Sequence, residues 1–246
     1  MGLKMEIEGK VEGISVISWL MCTSVLVLTV LFTYGCTPAE KPLPVTYEAV
    51  IKLPEPRYEG KISVEEALLK RRSVRNYTGA SLTLPEVSQL LWATQGITDP
   101  RGFRTAPSAG ALYPLEVYVV VGDVQNLAQA VYHYKPDEHE LVKVMDGNKR
   151  AELAAAALGQ SWVKEGAINI VLTAVYERTT AKYGDRGIRY VHIEAGHAAQ
   201  NLCLQATALE LGLVTVGAFH GDRVSEILGL AEDEAPVYII PVGRKS

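Results

Sequence analysis

Arg71-Arg72-Ser73-Val74-Arg75 sets three guanidinium groups and a hydroxyl within five residues. A phosphate monoester takes bidentate Arg donors and short hydroxyl hydrogen bonds, so the run suits an anion site. It also falls at the expected end of a helix, where cations offset the C-terminal dipole. That role accounts for one or two of the arginines and gives Ser73 nothing to do. Further on, Pro107-Ser108-Ala109-Gly110-Ala111-Leu112-Tyr113-Pro114 is a run of mostly small residues bounded by prolines. Its backbone can approach a flat ligand with little side chain in the way. The run leads straight into the apolar stretch Glu116–Gly122, so the loop rests on the core. Lys182-Tyr183 is a third candidate: Tyr183, or a desolvated Lys182, could take a proton from a substrate if its pKa falls. Taken alone, that pair reads as an ordinary surface feature.

Several other chemistries lack the residues they need. No GxGxxG run follows an apolar strand, and no GxxxxGK run leads into Ser or Thr, so neither phosphate cradle of that kind is available. His192 and His197 are five apart, about 140° around a helix axis, a poor zinc pair. Cys22 and Cys36 lie in the apolar leader, and Cys203 alone lies in the body, inside an apolar helical pattern. The body therefore offers neither a disulfide framework nor a cysteine-based metal cluster, and no metal site is expected. A formal charge of −4 with no dense Lys/Arg stripe argues against nucleic-acid binding.

The elements that must position the three runs can be read locally. Ser63-Val64-Glu65-Glu66 and Thr83-Leu84-Pro85-Glu86 both have capping-box spacing and predict two helices. Strands are expected at Glu116–Gly122, Ile168–Val175 and Val237–Val242, with a further one at Thr215–Phe219. Asn148–Leu158 reads as a helix, and Ile193–Leu211 as a longer one ending at Gly212. Helices and strands mix without regular alternation or internal repeat, which argues for an α+β fold around one sheet.

The front of the chain differs from the rest. No charge occurs between Glu12 and Glu40, and Ile14–Phe32 is mostly aliphatic, just long enough to cross a hydrocarbon core. Residues 1–36 are read as a membrane anchor or signal segment, with three forms open: a retained signal anchor, a cleaved signal peptide, or a lipoprotein signal ending at Cys36. Membrane association is expected, with the body taken as extracytoplasmic, although Lys4 and Lys10 on one side and Lys41 on the other leave the positive-inside rule little to set orientation by. Residues 37–61, with Pro38, Pro42, Pro44, Pro54 and Pro56, read as an extended linker. The folded body is expected over residues 62–246.

The Arg-Arg-Ser-Val-Arg run, the Ser108-Ala109-Gly110-Ala111-Leu112-Tyr113-Pro114 loop, Lys182-Tyr183-Gly184, Glu194-Ala195-Gly196-His197-Ala198-Ala199-Gln200-Asn201 and Val242-Gly243-Arg244 together resemble the nitroreductase superfamily. Within it they are similar to the SagB-type dehydrogenase branch, which includes azoline-oxidising enzymes. The resemblance spans Ile62–Arg244, with five motifs in the family's order. It implies a central, mostly antiparallel sheet flanked by helices, and an FMN-dependent oxidoreductase that moves a hydride between flavin and a small organic substrate. It further implies a homodimer with FMN at the interface, and NAD(P)H is a candidate electron donor. By position, Arg71 and Ser73, with Arg72, match residues around the flavin phosphate and ribityl chain. Arg75 matches a basic residue at the pyrimidine edge, and Arg244 a C-terminal phosphate contact. Pro107, Ser108, Ala109 and Gly110 match the loop beside the ring. Glu194, Ala195 and Gly196 match the segment whose backbone faces the hydride-accepting nitrogen, and Lys182 and Tyr183 match a catalytic pair. Other functions left open are an NAD(P)H-dependent nitro- or quinone reductase and a non-catalytic, membrane-anchored flavin binder. Enzymes of this branch are commonly soluble, so the leader is a departure that bears on the substrate.

Overall fold

The computed structural model describes residues 49–246; the leader and the first part of the proline-rich stretch lie outside the described residues. Seven strands form one sheet in the order β1-β4-β3-β2-β5-β7-β6: β1 Val50–Lys52, β2 Leu115–Val121, β3 Ala130–Lys135, β4 Glu140–Asp146, β5 Ile168–Val175, β6 Leu211–Leu213 and β7 Glu234–Arg244. Every neighbouring pair is antiparallel. Helices α1 Val64–Lys70, α2 Leu84–Gln95, α3 Arg150–Ala156, α4 Ser161–Glu165, α5 Glu177–Tyr183, α6 Arg186–Ala208 and α7 Gly221–Leu228 complete the described elements, with a single 3₁₀ turn at Ala109–Ala111.

Successive residues of a strand face opposite sides, and β5 has a core on each. Ile170 and Leu172 join Leu90 and Leu91 of α2 and Leu202 of α6 on one face, whereas Val171 joins Leu153, Val163, Val224 and Ile239 on the other. This explains why β2 and β5 read as continuous apolar runs instead of alternating ones. Both capping boxes form in part or in full. The Ser63 hydroxyl accepts from the Glu66 N–H at 3.1 Å, and the Thr83–Glu86 exchange is reciprocal.

Four expectations are corrected. Val50–Lys52 pairs with β4 and Leu53 is buried, so the packed chain includes residues that had been read as linker; Pro54 then ends the strand. Thr215–Phe219 is not a strand but makes one two-bond bridge, Val216 with Ile239, before leaving the sheet. Gly212 does not end the long helix. It sits in β6, where a Cβ would stand 2.6 Å from Val74 Cγ1, so its smallness admits the Arg-Arg-Ser-Val-Arg segment. The long helix also starts seven residues before Ile193. Gly187, which looks like a breaker, lies inside it because a Cβ there would come within 2.8 Å of Thr180 Cα, so glycine allows α5 and α6 to touch. No helix among the described residues is long and apolar enough to cross a membrane.

Candidate active site

The chain turns from β5 directly into α5, and Arg178 in its first turn ties that helix down. Its guanidinium pairs with Glu116 of β2 at 2.6 Å and donates to the Tyr113 carbonyl at 3.2 Å. Lys182 and Tyr183, one turn further on, thereby meet the 3₁₀ turn. Gly110 has φ +67°, and a Cβ on it would stand 2.7 Å from Tyr183 Oη and 3.0 Å from Lys182 Nζ. Ala111 and Tyr113 also have positive φ, at 53° and 44°. Such backbone persists only where surroundings over-determine it. Here Ser108 Oγ accepts the Tyr113 N–H at 2.9 Å, and Arg104 lies 4.7 Å over the Tyr113 ring. Gly110 is thus brought to the predicted catalytic pair, with Pro107, Ser108 and Ala109 immediately before it in the chain. Tyr183 packs edge-on to Tyr190 at 5.2 Å.

The arginine run sits elsewhere. Ser73 bridges to Leu213 of β6 through the Val74 N–H and the Leu213 carbonyl at 2.8 Å. Arg75 lies 5.4 Å over the Trp162 ring of α4. Arg72 donates to the carbonyls of Leu69 and Arg71 at 3.0 and 2.7 Å, satisfying the C-terminus of α1. Among the described residues, Arg71 and Arg75 make no ion pair, and Ser73 is exposed. These are properties of an open anion site. The chain end does converge here, since the Thr78 N–H donates to the Arg244 carbonyl at 3.0 Å. The Arg244 side chain is occupied, however: it pairs with Glu86 at 3.0 Å and donates to the Ser81 carbonyl at 3.2 Å.

Strand register puts the two clusters at opposite ends of the sheet. Leu115, just past the small-residue loop, pairs with Ala174, next to the exit toward Lys182-Tyr183. Ile168 pairs with Val242, and Val242 with Leu213, beside Ser73. Six steps along β5 at about 3.3 Å each separate them by about 20 Å. The 23-residue helix α6 runs between the same two regions. One chain therefore keeps the predicted residues in two separate clusters and does not gather them into one pocket.

Glu194, Ala195 and Gly196 need a different role from the one expected. With α6 beginning at Arg186 they lie inside the helix, so their N–H groups enter its own ladder. Gly196 faces outward, while Glu194 and Ala195 are buried. The Glu194 carboxyl is pushed up to about 7 by burial, against the opposing pull of the Ser108 hydroxyl and the Arg104 guanidinium. Two exposed backbone positions were missed. Gly217 and Ala218 follow the Val216 bridge, and their N–H groups have no partner among the described residues. Gln160, next to α4, donates to the Ala218 carbonyl at 3.1 Å, which ties this segment to the Arg75–Trp162 neighbourhood. Their only signal in the sequence is a small pair after an apolar run.

A family model, the nitroreductase family, matches residues 68–244. The chain belongs to the nitroreductase family. It is an oxidoreductase of this flavin-dependent family and has the family's α+β fold, an antiparallel sheet flanked by helices. A nitroreductase-family protein of Methanocaldococcus jannaschii is 51% identical over 185 residues, which cover 75% of this chain and 92% of that protein. The crystal structure of a nitroreductase-family protein from Ralstonia eutropha superposes with a TM-score of 0.72 at 29% identity, covering 85% of this chain and 98% of that one. Trifolitoxin operon protein TfxC of Rhizobium leguminosarum is 27% identical over 194 residues, 72% of this chain and 54% of that protein.

Proposed function

We propose that this nitroreductase-family protein works as a homodimer. Each FMN is held by Arg71, Ser73 and Arg75 of one subunit and lies against Pro107–Gly110, Lys182 and Tyr183 of the other. The observation that carries the reading is the separation of the half-sites along α6. Residues 189, 193, 196, 197 and 200 form one exposed stripe along that helix, with Ile193 49% exposed, and α1 adds Leu69 at 73%. That stripe is Arg189, Ile193, Gly196, His197 and Gln200; two copies related by a two-fold axis and packed with their α6 helices antiparallel would cover it and bury Ile193 and Leu69. The same packing would bring the arginine end of each subunit to the Lys182 end of its partner.

The residues present suit the cofactor. Two guanidinium groups without ion pairs and an exposed hydroxyl match a phosphorylated tail, and Gly110 leaves room where a Cβ would stand. When bound, FMN supplies the two-electron chemistry, accepting or giving a hydride. Arg75 is the group that would favour negative charge at the pyrimidine edge. The free N–H groups of Gly217 and Ala218 take over the donor role first read at Glu194–Gly196. Tyr183 or Lys182 carries the accompanying proton.

The likeness to a trifolitoxin operon protein supports a SagB-type dehydrogenase acting on a small organic substrate. The archaeal relative, at much higher identity, supports the second reading, an NAD(P)H-dependent nitro- or quinone reductase. Rapid anaerobic reduction of bound flavin by NADPH would favour the reductase, and no reduction by NADPH or NADH the dehydrogenase. We further infer from its leader that the protein is membrane-associated with the body outside the cytoplasm; recovery of the native protein only in the soluble fraction would reverse this.

Subunit complementation tests the shared site. Chains carrying Arg71→Ala and chains carrying Tyr183→Phe are each impaired alone. A mixed dimer has one site with both defects and one with neither, so activity returns. If each site belonged to one chain, every site in the mixture would keep a defect and nothing would return.

A further inference from the structure

We propose that Glu194 is a positioning residue for the half-site of Lys182 and Tyr183, setting from inside α6 where Ser108 and Gly110 stand. The inference rests on the reading of that half-site as half of an active site. It concerns the Glu194 side chain, which needs no contact with the ligand.

Glu194 is 2% exposed, and its Oε1 has no hydrogen-bond partner among the described residues. A buried carboxyl with an unpaired oxygen is costly as an anion, so it resists ionisation. The groups that face it both favour the anion: the Ser108 hydroxyl and the Arg104 guanidinium. Each has another tie. Ser108 Oγ already accepts the Tyr113 N–H, which leaves the hydroxyl proton free for Glu194. Arg104 donates to Gln95 Oε1 at 3.0 Å and also feels Glu116, Asp137 and Tyr113. Gln95 Nε2 is a second buried atom without a partner beside the same guanidinium. The neighbourhood thus holds a buried acceptor, Glu194 Oε1, and a buried donor, Gln95 Nε2, each without a partner among the described residues.

The consequence runs along the loop. Ala111 donates its N–H to the Ser108 carbonyl at 3.1 Å, and Gly110 between them is the residue against which Tyr183 Oη and Lys182 Nζ rest. When Glu194 ionises it accepts from Ser108 and draws Arg104, and the strained turn tightens beneath the catalytic pair. When it is protonated that hold weakens. Because the folded carboxyl gives up its proton near pH 7, the tightening falls at neutrality.

Amide exchange of Tyr113 and Ala111, corrected for hydroxide catalysis, reads the loop directly in the purified protein. Protection should rise as a one-proton step centred near pH 7, by roughly tenfold, the ratio that one pKa unit of coupling supplies. Glu194→Gln should abolish the step, and the step in the pH profile of kcat with it. Ser108→Ala removes a group that favours the anion, so it should move the midpoint to higher pH. If Glu194→Gln does not fold, side-chain NMR titration of glutamate in the wild type and in Ser108→Ala decides. A Glu194 midpoint near the ordinary 4.5, a step that survives Glu194→Gln, or a midpoint unmoved by Ser108→Ala overturns the proposal. Failure of the flavin reading looks different, since it leaves a colourless protein at every pH and does not touch the amide readout.

Discussion

The two ends of α6 are built in opposite ways. At the arginine end, half-buried Arg71 and exposed Arg75 make no ion pair among the described residues, and Ser73 is held only through its backbone there. At the other end, Lys182 and Tyr183 sit on a lattice of internal ties: Glu116 with Arg178 at 2.6 Å and with His133 at 2.7 Å, the Tyr113 N–H to Ser108 Oγ bond, and buried Glu194. The first end has charge awaiting a partner, and the second has shape fixed before any partner arrives. Electrostatic sites can stay open because a guanidinium is at ease in water. A proton-transfer geometry cannot, because its usefulness depends on fractions of an ångström. Substitutions at the two ends should therefore fail differently.

The largest effect is expected at the preformed end. Tyr183→Phe keeps the ring that Tyr190 packs against and removes only the hydroxyl, so flavin content should hold while turnover falls by roughly 10²–10⁴-fold. Unchanged turnover would remove Tyr183 from the mechanism and leave Lys182 as the proton carrier.

Next comes Glu116. Burial alone would raise its pKa, but His133 and Arg178 together outweigh burial and lower it to about 2. A depressed carboxyl contributes stability that is present above its unfolded value near 4.5 and is lost as pH falls toward 2. Glu116→Ala should therefore cost up to about 3 kcal/mol at neutral pH. It should also flatten the acid limb of the stability profile, as followed by denaturant titration from pH 2 to 7. A variant as stable as the wild type would mean that α5 is anchored by packing alone.

Arg71→Ala gives the contrasting signature. Loss of a charge-assisted contact to phosphate is worth about 1.5–3 kcal/mol, so FMN affinity should fall roughly tenfold to a hundredfold. Stability of the described body without flavin should not move, because Arg71 has no ion pair to lose among the described residues. Calorimetric FMN titration beside thermal unfolding separates the two. A drop in stability with intact affinity would make the arginine end as structural as the other.

How much of this was legible in the chain follows the range of each interaction. The capping hydroxyls of Ser63 and Thr83 act within four residues, so spacing sufficed. Continuous apolar runs announced β2 and β5 because both sheet faces are covered. Gly212 misled because glycine allows both sharp turns and close contacts, and which one applies depends here on Val74, which is distant in sequence. The residue types of the two clusters stand plainly in the sequence. Their separation does not, because strand direction and register decide it and neither is encoded locally. Glu194 was noticed for its backbone, and only the true start of α6 at Arg186 turned attention to its side chain. Helices α4 and α5 are too short to show a period, and the β3–β4 hairpin interleaves charged with apolar residues, whereas α7 carries Val224, Ile227 and Leu228 at helical spacing and was open to reading.

The smallest expected effect sharpens the comparison most, because it concerns a residue that sequence and structure assign to different ends of the same argument. By motif position Arg244 is a phosphate contact like Arg71. In the fold its guanidinium clasps Glu86, the carboxylate that also completes the Thr83 capping box of α2. Breaking a half-exposed pair of this kind costs about 0.2–1 kcal/mol, with the lost Ser81 contact at the upper end. Arg244→Ala should therefore lower the melting temperature by a few degrees and leave FMN affinity within error of the wild type. Arg244→Lys should recover part of the stability, since a point charge still reaches Glu86 without the second donor to Ser81. If affinity instead falls as it does in Arg71→Ala, then Glu86 releases the guanidinium when the phosphate arrives. In that case the arginine end, too, would be held in shape until its ligand binds.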